Sequence, residues 1–208
     1  MRPPFPEDEP RRYDGGDEPG GWRFSLTPAG LGLLLFLVSL IVFFLAGIAG
    51  YVIIRMTNPN APPPGEMQLP LGLWVSTVVL VISGLTMHLA QRAAVDQALG
   101  RVRTLLVITL LLGVVFVSIQ LPALRTLMAE HWVHLENNFA MYGFTGMLVA
   151  LHGLHVLGGF VPLSWLTLRT LRDQPPYPDP LTLRHMEIYW HFLHVVWVVM
   201  FIVFLVVG

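Results

Sequence analysis

Long apolar runs separated by short polar stretches organise most of this chain. Each of five runs has roughly 20 or more residues without a charge, enough for a helix to cross a hydrocarbon core about 30 Å thick. The predicted spans are Ala29–Ile54, Leu71–Ala90, Leu105–Leu124, Phe139–Leu168 and Ile188–Val207. The pattern therefore predicts an all-α polytopic membrane protein, a bundle of five transmembrane helices.

The N-terminal segment differs in character from the rest. Residues 1–25 are acidic and rich in proline and glycine, and the acidic stretch Glu7–Glu18 before a long apolar run argues against a cleaved signal peptide. Segments of this composition bury too little apolar surface to fold alone. We therefore predict a flexible tail at 1–25, followed by one membrane domain at 26–208.

The stretch before the fourth span, Leu124–Asn138, mixes apolar side chains with charges and histidines. It contains Trp132, a residue type enriched at the level of lipid headgroups. Two interpretations are open: a short helix lying in the membrane interface, or a polar loop with scattered apolar residues. The fourth span itself is longer than a bilayer requires, which predicts a helix that tilts, kinks near Pro162 or protrudes.

Arginine positions predict the orientation of the bundle. The N-terminal tail and the second and fourth loops hold ten of the 12 cationic residues, all of them arginines, whereas the first and third loops hold only Arg55 and Arg125. Because short positively charged loops stay in the cytoplasm, we expect a cytoplasmic tail and N-terminus and a periplasmic C-terminus.

Six arginines in the second and fourth loops are candidates for contacts with lipid headgroups. They are Arg92, Arg101, Arg103, Arg169, Arg172 and Arg184. Guanidinium groups bind phosphate in a bidentate manner, and the cytoplasmic leaflet carries anionic lipids. Bound phospholipid is therefore predicted, the alternative being that these arginines only set the topology.

Composition excludes several classes of function. The chain is 54% apolar and 12% charged, has a net charge of -1 and contains no cysteine. Disulfides and thiolate metal sites are thus excluded. No basic stripe points to nucleic acid, which is not expected as a partner.

Four histidines lie deep in the last two spans: His152 and His155 in the fourth, His191 and His194 in the fifth. A spacing of three places each pair on one face of its helix. We interpret each imidazole as neutral and hydrogen-bonded to a carbonyl or hydroxyl of a neighbouring helix, without a cluster of all four. The alternative is a haem bound between one histidine of each helix. Two haems at different depths would need histidines several turns apart on each helix, which a spacing of three does not provide.

A bound metal is not expected, because Glu187, at the start of the fifth span, is the one carboxylate within the apolar runs. The chain is accordingly predicted to contain no catalytic residue, no haem ligand and no metal ligand. Small residues at steps of three and four, Gly143, Gly146, Ala150 and Gly153, with Ala46 and Gly50, predict seams where helices pack closely.

Two motifs resemble a known family. The run His152-Gly-Leu-His155 and the run Tyr189–Trp197 are similar to the last two membrane helices of subunit III of the haem-copper oxidases, which use cytochrome c or quinol. The second and third spans, with Val81–His88 and Leu110–Gln120, also resemble this family. The likeness extends from the first span to the C-terminus, in the short form with five helices.

The resemblance implies an accessory, non-catalytic subunit of a terminal respiratory oxidase in a bacterial cytoplasmic membrane. It implies subunits I and II as partners that hold the haem and copper, bound phospholipid, support of assembly and proton supply, and a possible place in a larger respiratory supercomplex. The family-motif and polar membrane residues are His152, His155, Glu187, Tyr189, Trp190, His191, His194 and Trp197.

The chain also departs from the family pattern. Where the family usually has an aspartate after its Tyr-Trp-His-Phe motif this chain has His194, and Ala123 replaces a usual glutamate. Roles that depend on those carboxylates are not transferred. A relay of protons through Glu187, His191 and His194 is a further hypothesis. The alternatives are a small subunit associated with nitric oxide reductase and, from another class, a membrane transporter or a b-type haem membrane anchor.

Overall fold

Five α-helices make up the fold of the computed structural model, which describes residues 27–57, 71–132, 135–172 and 179–207. The side chains of residues 123 and 126–142 lie outside this description, as does the predicted tail at 1–25. The helices are α1 (Pro28–Thr57), α2 (Leu71–Val95), α3 (Leu99–Trp132), α4 (Leu135–Leu171) and α5 (Pro180–Val207). Each contains a stretch long and apolar enough to cross a membrane, which confirms the predicted fold class.

Local capping explains where α1 and α5 begin. Thr27 accepts a hydrogen bond from the backbone N–H of Gly30 at 3.2 Å, and Asp179 accepts one from the backbone N–H of Leu181 at 3.3 Å. A proline follows each of these caps, at the first helical position, where its missing N–H costs nothing. The caps therefore set the start of the helices, independently of the apolar runs.

Two helices begin well before the apolar runs that predicted them. Helix α3 starts at Leu99 and α5 starts at Pro180, six and eight residues before the expected spans. The reason is that hydropathy marks the stretch that suits hydrocarbon, while arginine and glutamate are good helix formers outside it. Glu187 consequently lies in the second turn of α5 and not at its start.

The segment before the fourth span is helical, but it is not a separate helix. Helix α3 continues to Trp132, and α4 begins at Leu135. The interpretation of Leu124–Asn138 as a polar loop is therefore wrong for the described backbone, and the interpretation as a short helix holds only in that the segment is helical, as part of α3 and α4. Helix α4 has 37 residues, so the expectation of an unusually long fourth helix is confirmed.

Helix α5 lies against α1, α2 and α4, and α4 also contacts α1 and α3. Helices α2 and α3 form a hairpin closed by three residues, in which Gln97 adopts a positive φ of 56°. Helix α1 packs on α4 and α5 and not on its chain neighbour α2. The core side chains of α5 include Leu183, Trp190, Leu193, Trp197 and Met200. This arrangement places one face of α5 against α2.

The small-residue seams are only partly as predicted. A Cβ added at Gly50 would lie 2.8 Å from the Phe144 ring, so α1 and α4 do approach closely there. Cβ atoms at Gly143 and Gly153, by contrast, would meet no atom of the described residues within 4 Å. No described helix of this chain therefore uses the predicted seam at these two positions, because the helices that pack on α4 contact other faces of it.

Candidate functional site

Two histidines and a glutamate meet where α2 packs on α5. Oε1 of Glu187 lies 2.5 Å from Nδ1 of His88 and 3.8 Å from Nε2 of His191. His191 follows Glu187 by one helical turn, so one face of α5 presents both. The Glu187 side chain is 12% exposed, whereas those of His88 and His191 are 39% and 33% exposed. We refer to these three side chains as the His88–Glu187–His191 triad.

A glycine of α2 lets a further histidine approach the same helix. A Cβ added at Gly84 would lie 2.8 Å from Nδ1 of His194 and 3.3 Å from Cε1 of His191. The rings of His191 and His194 are nearly perpendicular, with centroids 5.9 Å apart. His194 is buried, and its Nε2 has no hydrogen-bond partner among the described residues. Polar side chains thus continue from the triad toward the middle of the bundle.

Hydroxyl groups join α2, α3 and α5 beside these histidines. Nε1 of Trp190 donates to the hydroxyl of Ser83 at 3.2 Å, and that hydroxyl donates to the backbone oxygen of Thr109 at 3.4 Å. The hydroxyls of Thr86 and Thr109 share a hydrogen bond of 2.8 Å. Because unpaired polar groups are costly in an apolar surrounding, these bonds stabilise the relative positions of the three helices.

A second polar group lies farther along α5, around Trp197. Nε1 of Trp197 donates to the hydroxyl of Thr77 at 3.1 Å, and the indole stacks on the ring of His152 with centroids 5.7 Å apart. The hydroxyl of Ser76 lies 2.6 Å from Oε1 of Gln120. Nδ1 of His152 and Nε2 of Gln120 are buried without a hydrogen-bond partner in the described part of the chain. We call these five residues the Trp197 cluster.

His155 has different surroundings from His152. Its Nδ1 donates to the carbonyl of Leu151 at 2.7 Å, within its own helix, and its backbone carbonyl accepts a hydrogen bond of 2.9 Å from Tyr189. Its ring lies edge-on to Phe44 of α1. His155 and Tyr189 line an apolar cavity of about 470 Å³ between α1, α4 and α5.

The structure corrects the predicted partners of the deep histidines. His155 bonds to its own helix, His191 faces a carboxylate, and the buried nitrogens of His152 and His194 named above lack partners among the described residues. Bonds to carbonyls or hydroxyls of neighbouring helices are therefore not the pattern observed. The one carboxylate named from the sequence, Glu187, does lie beside a histidine: it is one helical turn from His191 and also contacts His88.

His88 is the functional candidate that the sequence-based list of site residues omits. It lies on α2, 99 residues away from Glu187 in sequence. One signal was available: the exit of the second span and the entry of the fifth span lie on the same predicted side of the membrane. A histidine and a glutamate at matching depths on those two spans are candidates for a pair.

The six arginines predicted to contact lipid lie at the end of the bundle that contains the triad. Arg92, Arg101 and Arg103 flank the α2–α3 turn, and the other three flank the α4–α5 connection. The guanidinium of Arg169 lies 5.1 Å from the ring centroid of Trp165, which lines the 470 Å³ cavity. None of the six side chains is fully buried.

Residues 26–208 match the family model described as cytochrome c oxidase subunit III. The chain belongs to this family. Membership confirms the resemblance drawn from the histidine motifs, and it makes the chain an accessory subunit of a terminal oxidase. Members of the subunit III family associate with a haem-copper oxidase complex and are not its catalytic subunits.

Similar proteins come from several bacteria. A cytochrome c oxidase subunit 3 of Synechocystis sp. is 30% identical over 178 residues, which cover 82% of this chain and 72% of the relative. A cytochrome c oxidase subunit 3 of Bacillus subtilis is 30% identical over 179 residues, with 86% of each chain covered. The cytochrome bo(3) ubiquinol oxidase subunit 3 of Pseudomonas aeruginosa is 29% identical over 178 residues, covering 85% and 84%.

Proposed function

We propose that this chain is subunit III of a haem-copper oxidase in a bacterial cytoplasmic membrane, where it packs beside the catalytic subunit I and subunit II. The observation that carries the proposal is the family match over residues 26–208, on a bundle of five helices able to span a membrane. Haem and copper belong to the partner subunits in this proposal. The arginine distribution supports a cytoplasmic N-terminus, with the tail at 1–25, and a periplasmic C-terminus.

Purification of the native complex through an affinity tag on this chain tests the proposal. We expect haem and copper in the complex and oxygen consumption with reduced cytochrome c or with a quinol, since the names of the relatives include both donors. A complex that reduces nitric oxide and not oxygen would support the reductase alternative. Recovery of this chain without any haem protein would contradict the proposal, and stoichiometric haem on the isolated chain would favour the b-type anchor.

Binding of phospholipid belongs to the same proposal. The indole of Trp165 lines the 470 Å³ cavity, whose lining is almost entirely apolar, and the guanidinium of Arg169 lies 5.1 Å from the centre of the Trp165 ring. An acyl chain in this cavity would place an anionic headgroup beside Arg169. In native mass spectrometry, the Arg169→Gln variant should retain one bound phospholipid fewer than the wild type. Arg125 is exposed on α3, outside this cavity, so the Arg125→Gln variant should retain as many phospholipids as the wild type.

Proton supply to the catalytic subunit is the third part of the proposed function. Glu187, His191 and His194 follow one another along α5 from the arginine-rich end of the bundle inward, and histidine exchanges protons near neutral pH when water reaches it. In an assembled complex, His191→Gln and His194→Gln should slow turnover most at high pH, where protons are scarce. Turnover that is unchanged at every pH would assign these histidines a structural role.

A further inference from the structure

The His88–Glu187–His191 triad has the donor atoms of a metal site. Nδ1 of His88, Oε1 of Glu187 and Nε2 of His191 all lie within 4.8 Å of one another. Two imidazoles and one carboxylate form a ligand set of zinc sites that leave a fourth position for water. Imidazole favours zinc and its transition-metal neighbours, whereas Mg²⁺ and Ca²⁺ prefer oxygen ligands. We propose that the triad binds one divalent transition-metal ion of the zinc class.

The distances between the donor atoms suit this ion. Bonds of about 2.0–2.2 Å at tetrahedral angles require donor atoms about 3.3–3.6 Å apart. The His88–Glu187 and Glu187–His191 pairs, at 2.5 Å and 3.8 Å, lie on either side of that range. Binding therefore requires the first pair to open by about 1 Å and the second to close by a few tenths of an ångström.

The burial of the three side chains allows this adjustment. His88 and His191 are partly exposed near the arginine-rich end of the bundle, so their rings can rotate without moving the core, and we expect a cation to approach from that end. Glu187 is nearly buried, and its negative charge offsets part of the charge of the ion. Metal ligands must be deprotonated, so the ion would take the place of the hydrogen bond between Nδ1 of His88 and Oε1 of Glu187.

The backbone around the triad holds the ligands on fixed elements. Glu187 and His191 project from consecutive turns of α5, and His88 projects from α2. Gly84, one turn before His88, leaves the space that the edge of the His191 ring occupies. A bound ion and a proton relay would use the same side chains, so they are alternative states of one site. The binding measurement does not depend on turnover, which keeps the two proposals separately testable.

The experiment uses the full-length chain in lipid nanodiscs. A chelator first removes bound metal, and the chain is then titrated with Zn²⁺. Bound metal is measured by equilibrium dialysis and elemental analysis, and we expect one saturable ion per chain. His88→Gln, Glu187→Gln and His191→Gln should each weaken binding by at least about 10-fold, since even partners outside the ligand shell change affinity by about 10- to 100-fold. Co²⁺ should give a visible absorption band that these variants lose.

His185→Gln is the matched control, because His185 lies on the same helix but lines the 470 Å³ cavity and not the triad. It should bind Zn²⁺ as wild type does. Circular dichroism and thermal unfolding check that each variant is folded, and Glu187→Asp, which keeps the carboxylate, should retain the ion. No saturable binding by the wild type, equal binding by all triad variants, or an equal loss in the control would each overturn the proposal.

Discussion

The two polar groups along α5 differ in how their atoms are paired. In the triad, the polar atoms face one another and two of the three side chains are partly exposed. In the Trp197 cluster, His152 and Gln120 are buried, and each has a nitrogen without a partner among the described residues. Its position near the arginine-rich end of the bundle makes the first group the candidate for proton exchange or ion binding. The Trp197 cluster is held in place by the contacts of its side chains with the Trp197 indole.

Helix α5 therefore contributes to a group with candidate binding chemistry and to a group that stabilises the fold. The motif Tyr189–Trp197 contributes to both groups, so a single stretch of sequence carries two roles. Buried polar atoms far from water stay only where the surrounding contacts hold them, whereas a pair near the end of the bundle has alternatives in solvent. Mutations should therefore affect stability most at the central ring of the Trp197 cluster, and binding most in the triad.

Trp197→Ala should have the largest effect on stability. Trp197 is 2% exposed and contacts Phe116, His152 and Thr77, and its removal would enlarge an adjoining cavity of about 330 Å³ between α3 and α4. Loss of a buried tryptophan costs about 3–5 kcal/mol. Unfolding by sodium dodecyl sulfate in bicelles measures this loss. Trp165→Ala, at a site 56% exposed, should change little, and equal losses would contradict the contrast.

Gly84→Ala should have the next largest effect, because the new methyl group would lie 2.8 Å from His194 and must push the ring away. Overpacking of this kind costs about 1–3 kcal/mol. The same unfolding assay applies, with Gly153→Ala as the control, since a Cβ there meets no described atom. If the Gly84→Ala variant were as stable as the Gly153→Ala variant, the His194 ring would have moved aside without cost.

His88→Ala should lower the free energy of unfolding by about 1 kcal/mol, within the range measured for hydrogen bonds inside membrane proteins. A double-mutant cycle with Glu187→Ala isolates the pair, and its coupling energy should account for most of this loss. A parallel cycle of His88→Ala with Trp197→Ala should be additive. Coupling between those distant residues would show that the two groups act as one.

His152→Leu should have the smallest effect, within about 1 kcal/mol in either direction. Replacing a buried polar group that lacks a partner by an apolar one of similar size removes a desolvation cost. The stacking contact with Trp197 is lost at the same time, so the two contributions oppose each other. A loss larger than that of His88→Ala, measured in the same assay, would indicate a partner for His152 outside the described part of the chain.

The apolar runs predict the number and type of the helices well, because the bilayer imposes one length and one solution for the backbone. They predict the ends poorly. Pro180 and Asp179 start α5 by capping, a signal present in the sequence but outside the apolar run. That difference of two turns keeps Glu187 within the regular helix, one turn before His191.

The candidate site, like the fold, could be predicted from the sequence only in part. His191 and His194 stand out from sequence because imidazoles are rare in hydrocarbon. Their partners do not, because which helices are neighbours depends on packing across the bundle: α2 lies against α5, while α1 does not contact α2. The unpaired nitrogens of His152 and Gln120 likewise depend on side-chain positions that no spacing along the chain specifies.

The α2–α3 hairpin has a consequence for the order in which the molecule is built. Its polar groups already pair within the hairpin, through Thr86, Thr109 and Ser83, before α5 has been synthesised. Among the described residues, the bonds of Trp190 and Trp197 to this hairpin and the contact of Glu187 with His88 await the last helix. The hairpin can therefore rest in the bilayer with these hydroxyl groups paired before α5 packs on it, and closure of the triad marks the docking of α5.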